Sequence, residues 1–217
     1  MDTKITKNDD FDFGDSLMLP VPTDVANLRL PDPDLREHYI DEANRVCWLD
    51  DSVNILAINI ARKIRKWNIE DAGLPTNMRK RILIMIDSPG GAVDSEAALL
   101  GAMKISKTPV YTCVYCDAFS AAADILACGH MRYAMPFTSI MFHAGSCQFA
   151  GTQSQVESTK KYYDYFGKKI NREVFSHTKF DDKIKQKIKT DDFFFDEKRA
   201  VEYGVVDKII TDFSEIM

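Results

Sequence analysis

The chain has 217 residues, of which 45% are hydrophobic, and its net charge at pH 7 is −5. This length is enough for one full-sized core, so we expect a single globular domain. The acidic balance argues against a nucleic-acid-binding protein and against a protein that binds an anionic membrane surface. Met1 is not followed by a secretory leader, and no apolar run approaches the roughly 20 residues that span a bilayer, so we expect a cytoplasmic protein.

The first 35 residues differ in composition from the rest of the chain. They are rich in Asp, Pro, Asn and Thr and show no sustained periodicity. This composition predicts an N-terminal arm over residues 1–35, whose first part is mobile, and a globular domain over residues 36–217.

Strands and helices alternate through the globular part. The run over residues 82–86 is continuously apolar, as expected of a strand that is buried on both faces of a parallel sheet. The other predicted elements are strands over 45–49, 110–116 and 139–142, helices over 53–64, 93–106, 120–128 and 153–177, a polar loop over 69–81, and a βα-type ending over 199–210. This alternation predicts an α/β fold with helices packed on a sheet.

The five cysteines do not suggest a disulfide framework, because their number is odd and they lie in apolar segments. Cys113 and Cys116 have the spacing of a redox or zinc pair. No second pair follows at a metal-binding spacing, so we interpret both as small buried residues of a strand and expect no metal site.

Ser120 follows an apolar strand and begins an alanine-rich helix. A hydroxyl in this position lies beside unpaired backbone N–H groups and the positive end of the helix dipole, which are conditions that stabilise an oxyanion. The same position also suits an ordinary N-cap serine. Position alone therefore leaves a nucleophile and a cap as alternatives.

Two further features can complete a serine-based site. The turn DSPGG over residues 87–91 follows a buried strand, and its glycines permit close approach of a substrate, although such dipeptides also occur in ordinary turns. His143 ends an apolar strand and can act as the general base, with a structural histidine as the alternative. The base also needs an orienting acid, for which the acidic residues upstream of Gly204 are candidates.

Four segments, in this order, resemble motifs of the ClpP family, the proteolytic subunits of the Clp protease. They are IDSPGG over 86–91, CDAFSA over 116–121, MPFTSIMFH over 135–143 and DFFFDEKRAVEYGVVD over 192–207. Gly151 also fits the glycine that precedes the long helix of that family. The resemblance extends from about residue 36 to residue 210, which is nearly the whole globular part.

The resemblance implies a serine endopeptidase with a Ser-His-Asp triad. Ser120 would be the nucleophile and His143 the general base. Asp192 would orient the imidazole, with Asp191 as the alternative acid. The chemistry would need no metal ion and no cofactor.

The resemblance also implies how a polypeptide substrate is bound. The oxyanion would accept hydrogen bonds from the backbone N–H groups of Gly91 and Ala121. The neighbouring residues Gly90, Ala92 and Val93 would bind the substrate, which would pair with this segment as an added strand.

The fold implied is the ClpP/crotonase type, with repeated ββα units and a projecting handle helix, here over residues 153–177. Members of this family form heptameric rings that stack into a tetradecamer around an internal chamber. The resemblance therefore implies a homo-oligomer of that type and an AAA+ unfoldase partner, because this chain has no phosphate-binding loop of its own.

Several residues depart from the family pattern. Asp87 stands in place of asparagine, Cys116 in place of glycine, and Ala121 in place of methionine. Phe119 replaces an alanine, and it is the residue that we expect to crowd the site or reshape a specificity pocket. The arm is also unusually acidic, with Asp9, Asp10, Asp12 and Asp15, which leaves the identity of the partner open.

Three other functions are weighed against the peptidase. A catalytically silent ring subunit of the same fold would keep the triad but block the site. A viral capsid-maturation peptidase would use the same chemistry on another substrate. A crotonase-type acyl-CoA enzyme shares the fold but is disfavoured, because that family uses carboxylates and backbone donors rather than a Ser–His pair.

Overall fold

A computed structural model describes residues 35–216 of the chain. The predicted arm therefore lies outside the described residues, except for Leu35, and its boundary with the globular domain stays a prediction. Within residues 35–216, no helix is long and apolar enough to cross a membrane.

The strands of residues 35–216 form one seven-stranded sheet. In chain order they are β1 (Val46–Leu49), β2 (Ile82–Ser88), β3 (Val110–Phe119), β4 (Met131–Ala134), β5 (Ser139–Phe142), β6 (Phe193–Asp196) and β7 (Lys208–Ile209). Strands β1, β2, β3, β4 and β7 are adjacent in that order, and each neighbouring pair is parallel. The end of β3 also pairs with β5 in parallel, and β5 pairs with β6 in the antiparallel direction.

Seven α-helices lie within the described residues. In chain order they are α1 (Arg36–Asn44), α2 (Ile55–Glu70), α3 (Val93–Ile105), α4 (Ala121–Ala127), α5 (Gln153–Ser176), α6 (Asp182–Thr190) and α7 (Glu197–Glu202). Single 3₁₀ turns occur at Thr76–Met78 and Phe213–Glu215. The architecture confirms the predicted α/β class.

The sheet is covered on both faces around β2. Ile82, Ile84 and Ile86 belong to the larger core, which also contains apolar residues of α2, α3 and α4. Leu83 and Met85 belong to a smaller apolar cluster that includes residues from β3, β4 and the C-terminal segment. Successive side chains of a strand point to opposite faces, which explains why the continuous apolar run predicted this strand correctly.

Several predicted boundaries are wrong by a few residues. Helix α2 continues to Glu70 and so shortens the loop predicted over 69–81. Strand β3 continues past its predicted end at Cys116, because β5 provides a second partner for its last residues. Helix α4 begins at Ala121 rather than Ser120, since the backbone of Ser120 is not helical.

The elements α1, β4, α6 and β6 were not predicted, and the ending expected over 199–210 divides into α7 and the two-residue β7. Strands β4 and β6 contain four residues each, which is too short for a period of two to stand out from the sequence.

Cys113 and Cys116 lie in different environments. Cys113 is buried, as predicted, but Cys116 is exposed, so the prediction is wrong for Cys116. Side-chain atoms of Cys116, Asp87 and Asp117 lie within 4.8 Å of one another. We assign this exposed group no function, because acidic side chains at surfaces often cluster without a ligand.

The predicted long amphipathic helix is confirmed as α5. Its first turn carries a capping box between Thr152 and Gln155, which satisfies the first backbone N–H groups. Of the described residues in α5, only Ile170 and Val174 are buried, and the aromatic side chains of Tyr162 and Tyr165 near its middle are exposed. The apolar stripe of α5 is therefore only partly covered within one chain.

Candidate active site

Three strand ends bring Ser120, His143 and Asp192 together. Strands β3 and β5 are parallel and end immediately before Ser120 and His143, so both residues leave the same edge of the sheet. Strands β5 and β6 are antiparallel, and Phe142 pairs with Phe193. This register places His143, which follows β5, beside Asp192, which precedes β6.

The distances among these residues fit a catalytic triad. Ser120 Oγ lies 2.8 Å from His143 Nε2, and His143 Nδ1 lies 3.3 Å from Asp192 Oδ1. A neutral imidazole with its proton on Nδ1 would donate to the carboxylate and accept from the hydroxyl. The alternative acid, Asp191, ends α6 and its carboxylate contacts Thr190 instead. Asp192 is therefore the acid that the geometry supports.

The side chains of His143 and Asp192 differ in exposure to solvent. The side chain of His143 is 23% exposed, whereas that of Asp192 is 61% exposed. Water therefore screens the attraction between this carboxylate and a protonated imidazole more than it would for a buried triad.

Aromatic packing holds β5 against β6 beneath His143 and Asp192. The rings of Phe142 and Phe195 stack with centroids 6.0 Å apart. Phe180 packs edge-on against Phe142 at 5.3 Å, and Phe193 contacts Tyr203 at 5.7 Å. This cluster fixes the strand register that sets the distance between the imidazole and the carboxylate.

Ser120 stands at the N-cap position of α4, but its hydroxyl makes no capping hydrogen bond. Its φ of 56° and ψ of −126° lie in a region that residues other than glycine rarely adopt. The Ser120 N–H donates to the carbonyl of Met141 at 2.8 Å, and the Ser120 carbonyl accepts from the N–H groups of Ala123 and Asp124. The hydroxyl thus contacts His143, and the ordinary N-cap interpretation does not describe it.

The glycine turn after β2 lies directly against Ser120. Gly90 has a φ of +92°, and a Cβ there would lie 2.6 Å from the carbonyl oxygen of Phe119 and 2.7 Å from the Cβ of Ser120. A Cβ at Gly91 would lie 2.5 Å from the carbonyl oxygen of Val53. No side chain fits at these separations, so the close approach of the turn requires glycine at both positions.

Ser88 supports this turn from within the protein. It is buried, its Oγ donates to the carbonyl of Asp51 at 2.6 Å, and the same oxygen accepts from the Gly90 N–H at 3.2 Å. The sequence analysis treated Ser88 only as part of the turn. The structure shows that its hydroxyl holds Gly90, the glycine that lies against Phe119 and Ser120.

The predicted oxyanion donors are available for hydrogen bonding. Within residues 35–216, the N–H groups of Gly91 and Ala121 donate to no other protein group. Ala121 begins α4, where backbone donors have no partner inside the helix. Gly91 and Ala121 line the same cleft as Ser120, and their role as oxyanion donors stays a prediction.

The prediction of substrate pairing through Gly90 and Ala92 needs correction. The Val53 N–H donates to the Gly90 carbonyl at 2.8 Å, and the Ala92 N–H donates to the Val53 carbonyl at 2.7 Å. In the described part of the chain, the Gly91 carbonyl and the Val93 N–H have no partner. An added strand would therefore pair with Gly91 and Val93, and this pairing stays a prediction.

A cleft opens beside Ser120 and has a volume of about 440 Å³; we call it the Ser120 cleft. It combines the glycine turn, the segment after β5 and helices α3, α4 and α5. Its lining includes Gly91, Val93, His143, Ser146 and Asn171. Phe119 does not line this cleft, because its ring packs edge-on against Phe194 with centroids 5.5 Å apart. The Phe119 ring thus lies against β6 and not in this cleft, and its effect on specificity stays a prediction.

Comparisons with known proteins support the predicted resemblance. The sequence model of the Clp protease family matches residues 74–213, which include every residue of the candidate triad and both candidate oxyanion donors. The chain is also 32% identical over 139 residues to the ATP-dependent Clp protease proteolytic subunit 2 of Treponema denticola. That alignment covers 63% of this chain and 70% of the relative. The chain therefore belongs to the Clp protease family, and its α/β architecture is consistent with the ClpP-type fold.

Proposed function

We propose that this protein is a serine endopeptidase in which Ser120, His143 and Asp192 act as a catalytic triad. The proposal rests on the 2.8 Å contact between Ser120 Oγ and His143 Nε2, with Asp192 at the opposite ring nitrogen. Membership of the Clp protease family supports peptidase chemistry.

The first half-reaction forms an acyl-enzyme. His143 Nε2 takes the proton of Ser120 Oγ as that oxygen attacks the carbonyl carbon of the scissile peptide bond. The carbonyl electron pair moves to its oxygen, which accepts hydrogen bonds from the N–H groups of Gly91 and Ala121. Asp192 stabilises the imidazolium, which then protonates the leaving amine as the C–N bond breaks.

The second half-reaction restores the enzyme. Water gives a proton to His143 and attacks the ester carbonyl, and the same oxyanion donors stabilise the second tetrahedral intermediate. The ester C–O bond breaks, and the Ser120 oxygen takes back a proton from His143. Each proton transfer in both halves passes through one imidazole, so its fixed position between the serine and the aspartate is essential.

We further propose that copies of this chain form two stacked heptameric rings around a chamber that receives polypeptides from an AAA+ unfoldase. Exposed aromatic side chains of α5 support this, since Tyr162 and Tyr165 lie on a helix that the described chain covers only partly. Light scattering is expected to give the mass of fourteen copies of the 24.7 kDa chain. A monomer under all conditions would contradict this assembly.

The peptidase function is tested with Ser120→Ala on a short fluorogenic peptide. The variant is expected to lose activity by at least on the order of 1,000-fold, because Ser120 forms the covalent bond. Ser214→Ala, which removes an exposed hydroxyl near the C-terminus, is the matched control and is expected to retain wild-type activity. Equal activity in Ser120→Ala and the wild type would refute the proposal, and a folded wild-type oligomer without activity would favour a silent ring subunit.

A further inference from the structure

Two carboxyl groups that the proposed mechanism does not use line the Ser120 cleft. They belong to Glu96, in the first turns of α3, and Asp124, on α4. Asp124 follows Ser120 by four residues, so it lies one helical turn away, about 6 Å along the helix axis. Because both acids share the cleft with Ser120, they can contact a side chain of a bound substrate.

The pair has an unusual electrostatic environment. Glu96 is only 4% exposed, and its carboxyl lies within hydrogen-bonding reach of that of Asp124. Burial raises the pKa of both groups, and repulsion by Asp124 raises the pKa of Glu96 further. Two carboxyl groups in such contact hold one proton between them at neutral pH and keep one negative charge.

This charge has no protein counter-ion in the described part of the chain. No described basic side chain forms an ion pair with Glu96 or Asp124 or lies close enough to lower the pKa of either. Glu96 Oε1 is also buried without a hydrogen-bond partner among the described residues. An uncompensated charge in a partly buried site is costly, and a cationic donor that enters the cleft and contacts Asp124 would compensate it.

We propose that Glu96 and Asp124 form the base of a specificity pocket that selects lysine or arginine at the residue whose carbonyl Ser120 attacks. This inference rests on the proposed peptidase function and names the substrate class of the same site. An extended lysine side chain carries its ammonium about 6 Å from its Cα, which matches the one-turn separation of Ser120 and Asp124. An apolar side chain would leave the charge unpaired and is therefore disfavoured.

The test compares the wild type with Glu96→Gln and Asp124→Asn on fluorogenic peptides that differ only in carrying lysine, arginine or leucine before the scissile bond. The wild type is expected to cleave lysine and arginine peptides with a higher kcat/KM than the leucine peptide. Asp124→Asn removes the acid that carries the charge, keeps the side-chain shape and is expected to lower the lysine-to-leucine ratio on the order of 10- to 100-fold, as for a lost hydrogen bond to a charged group. Glu96→Gln resembles the protonated acid, leaves Asp124 charged and is expected to keep the preference for lysine. Asp94→Asn, an exposed acid on the same helix, is the matched control and is expected to keep the wild-type ratio.

A second readout follows a single chemical step. Peptidyl diphenyl phosphonates carrying lysine or leucine label an active serine covalently, so their labelling rates report the preference even where turnover is slow. Thermal unfolding of Glu96→Gln and Asp124→Asn checks that each is folded, and Glu96→Gln is the isosteric variant that leaves the charge on Asp124.

The outcomes separate this inference from the proposed function. A wild type that prefers leucine, or a folded Asp124→Asn variant that keeps the wild-type ratio, would overturn the inference and leave the peptidase function standing. A wild type that cleaves none of the peptides and is not labelled at Ser120 would overturn both.

Discussion

Asp192→Asn removes the charge that faces His143 and preserves the shape of the side chain. In the proposed mechanism His143 becomes a cation when it accepts the Ser120 proton, and Asp192 Oδ1 lies 3.3 Å from its Nδ1. Asparagine presents a neutral amide to the ring. The variant is therefore expected to bind substrate normally and to lose stabilisation only where the imidazolium forms, in the transition state.

The exposure of Asp192 sets the size of the effect. Two unit charges at this separation attract by about 1 kcal/mol in bulk water and about 5 kcal/mol at an effective dielectric constant of 20. Because the side chain is 61% exposed, screening by water brings the value toward the lower limit. We expect a loss of about 2 to 3 kcal/mol, which is about 30- to 150-fold in kcat.

The assay is steady-state hydrolysis of a short fluorogenic peptide by the wild type, Asp192→Asn and Asp191→Asn. Asp191→Asn is the matched control, because this substitution removes a negative charge one residue away. The Asp191 carboxylate contacts Thr190 and not His143. We expect Asp191→Asn to retain wild-type kcat. Added salt is expected to narrow the difference between the wild type and Asp192→Asn, since screening weakens exposed charge pairs.

Two results would refute this reasoning. One is a loss of less than about twofold in Asp192→Asn, which is the size expected of an incidental surface ion pair. The other is an equal loss of kcat in Asp191→Asn. That result would mean that any negative charge near His143 supports activity, and that the specific contact between Asp192 and His143 does not.

Two further predictions concern the glycine turn and the fold. Gly91→Ala is expected to lower kcat on the order of 100-fold, because a Cβ at residue 91 would lie 2.5 Å from the Val53 carbonyl oxygen and would displace the proposed oxyanion donor. A near-normal kcat at saturating peptide concentration would contradict this prediction. Asp71→Asn is expected to lower the free energy of unfolding by about 3 kcal/mol, because the buried carboxylate binds Arg45 at 2.6 Å and Thr108 at 2.9 Å. The hydrogen bond from Arg45 lowers the pKa of Asp71 below its ordinary value of 3.8, so this stabilisation is present above that value and is lost as pH falls through the lowered pKa. Urea unfolding curves of the wild type and Asp71→Asn should therefore converge in acid, and a constant difference would contradict the assignment.

The sequence predicted which residues form the candidate site, but it did not predict the strand register and backbone geometry that bring them together. Ser120, His143 and Asp192 were identified from the order of four segments, and their proximity follows from strand register that only the folded sheet shows. The φ of 56° at Ser120 opposes the ordinary preference of serine, so the helix was predicted to begin one residue early.

Long-range contacts account for the other differences. The bridge between Val53 and the glycine turn joins distant segments, and it occupies the Ala92 N–H that was expected to bind substrate. Glu96 and Asp124 each look like ordinary polar residues of a helix, and only the packing of α3 against α4 brings the two carboxyl groups together. Local periodicity carries no information about such contacts.

The central claim, that Ser120 is a nucleophile activated by His143, is tested most directly by reacting the full chain with a fluorophosphonate and locating the adduct by mass spectrometry. We expect a single adduct on Ser120, which is absent in Ser120→Ala and forms much more slowly in His143→Ala. A folded wild type that forms no adduct, or an adduct that persists at the same rate in Ser120→Ala, would contradict the claim.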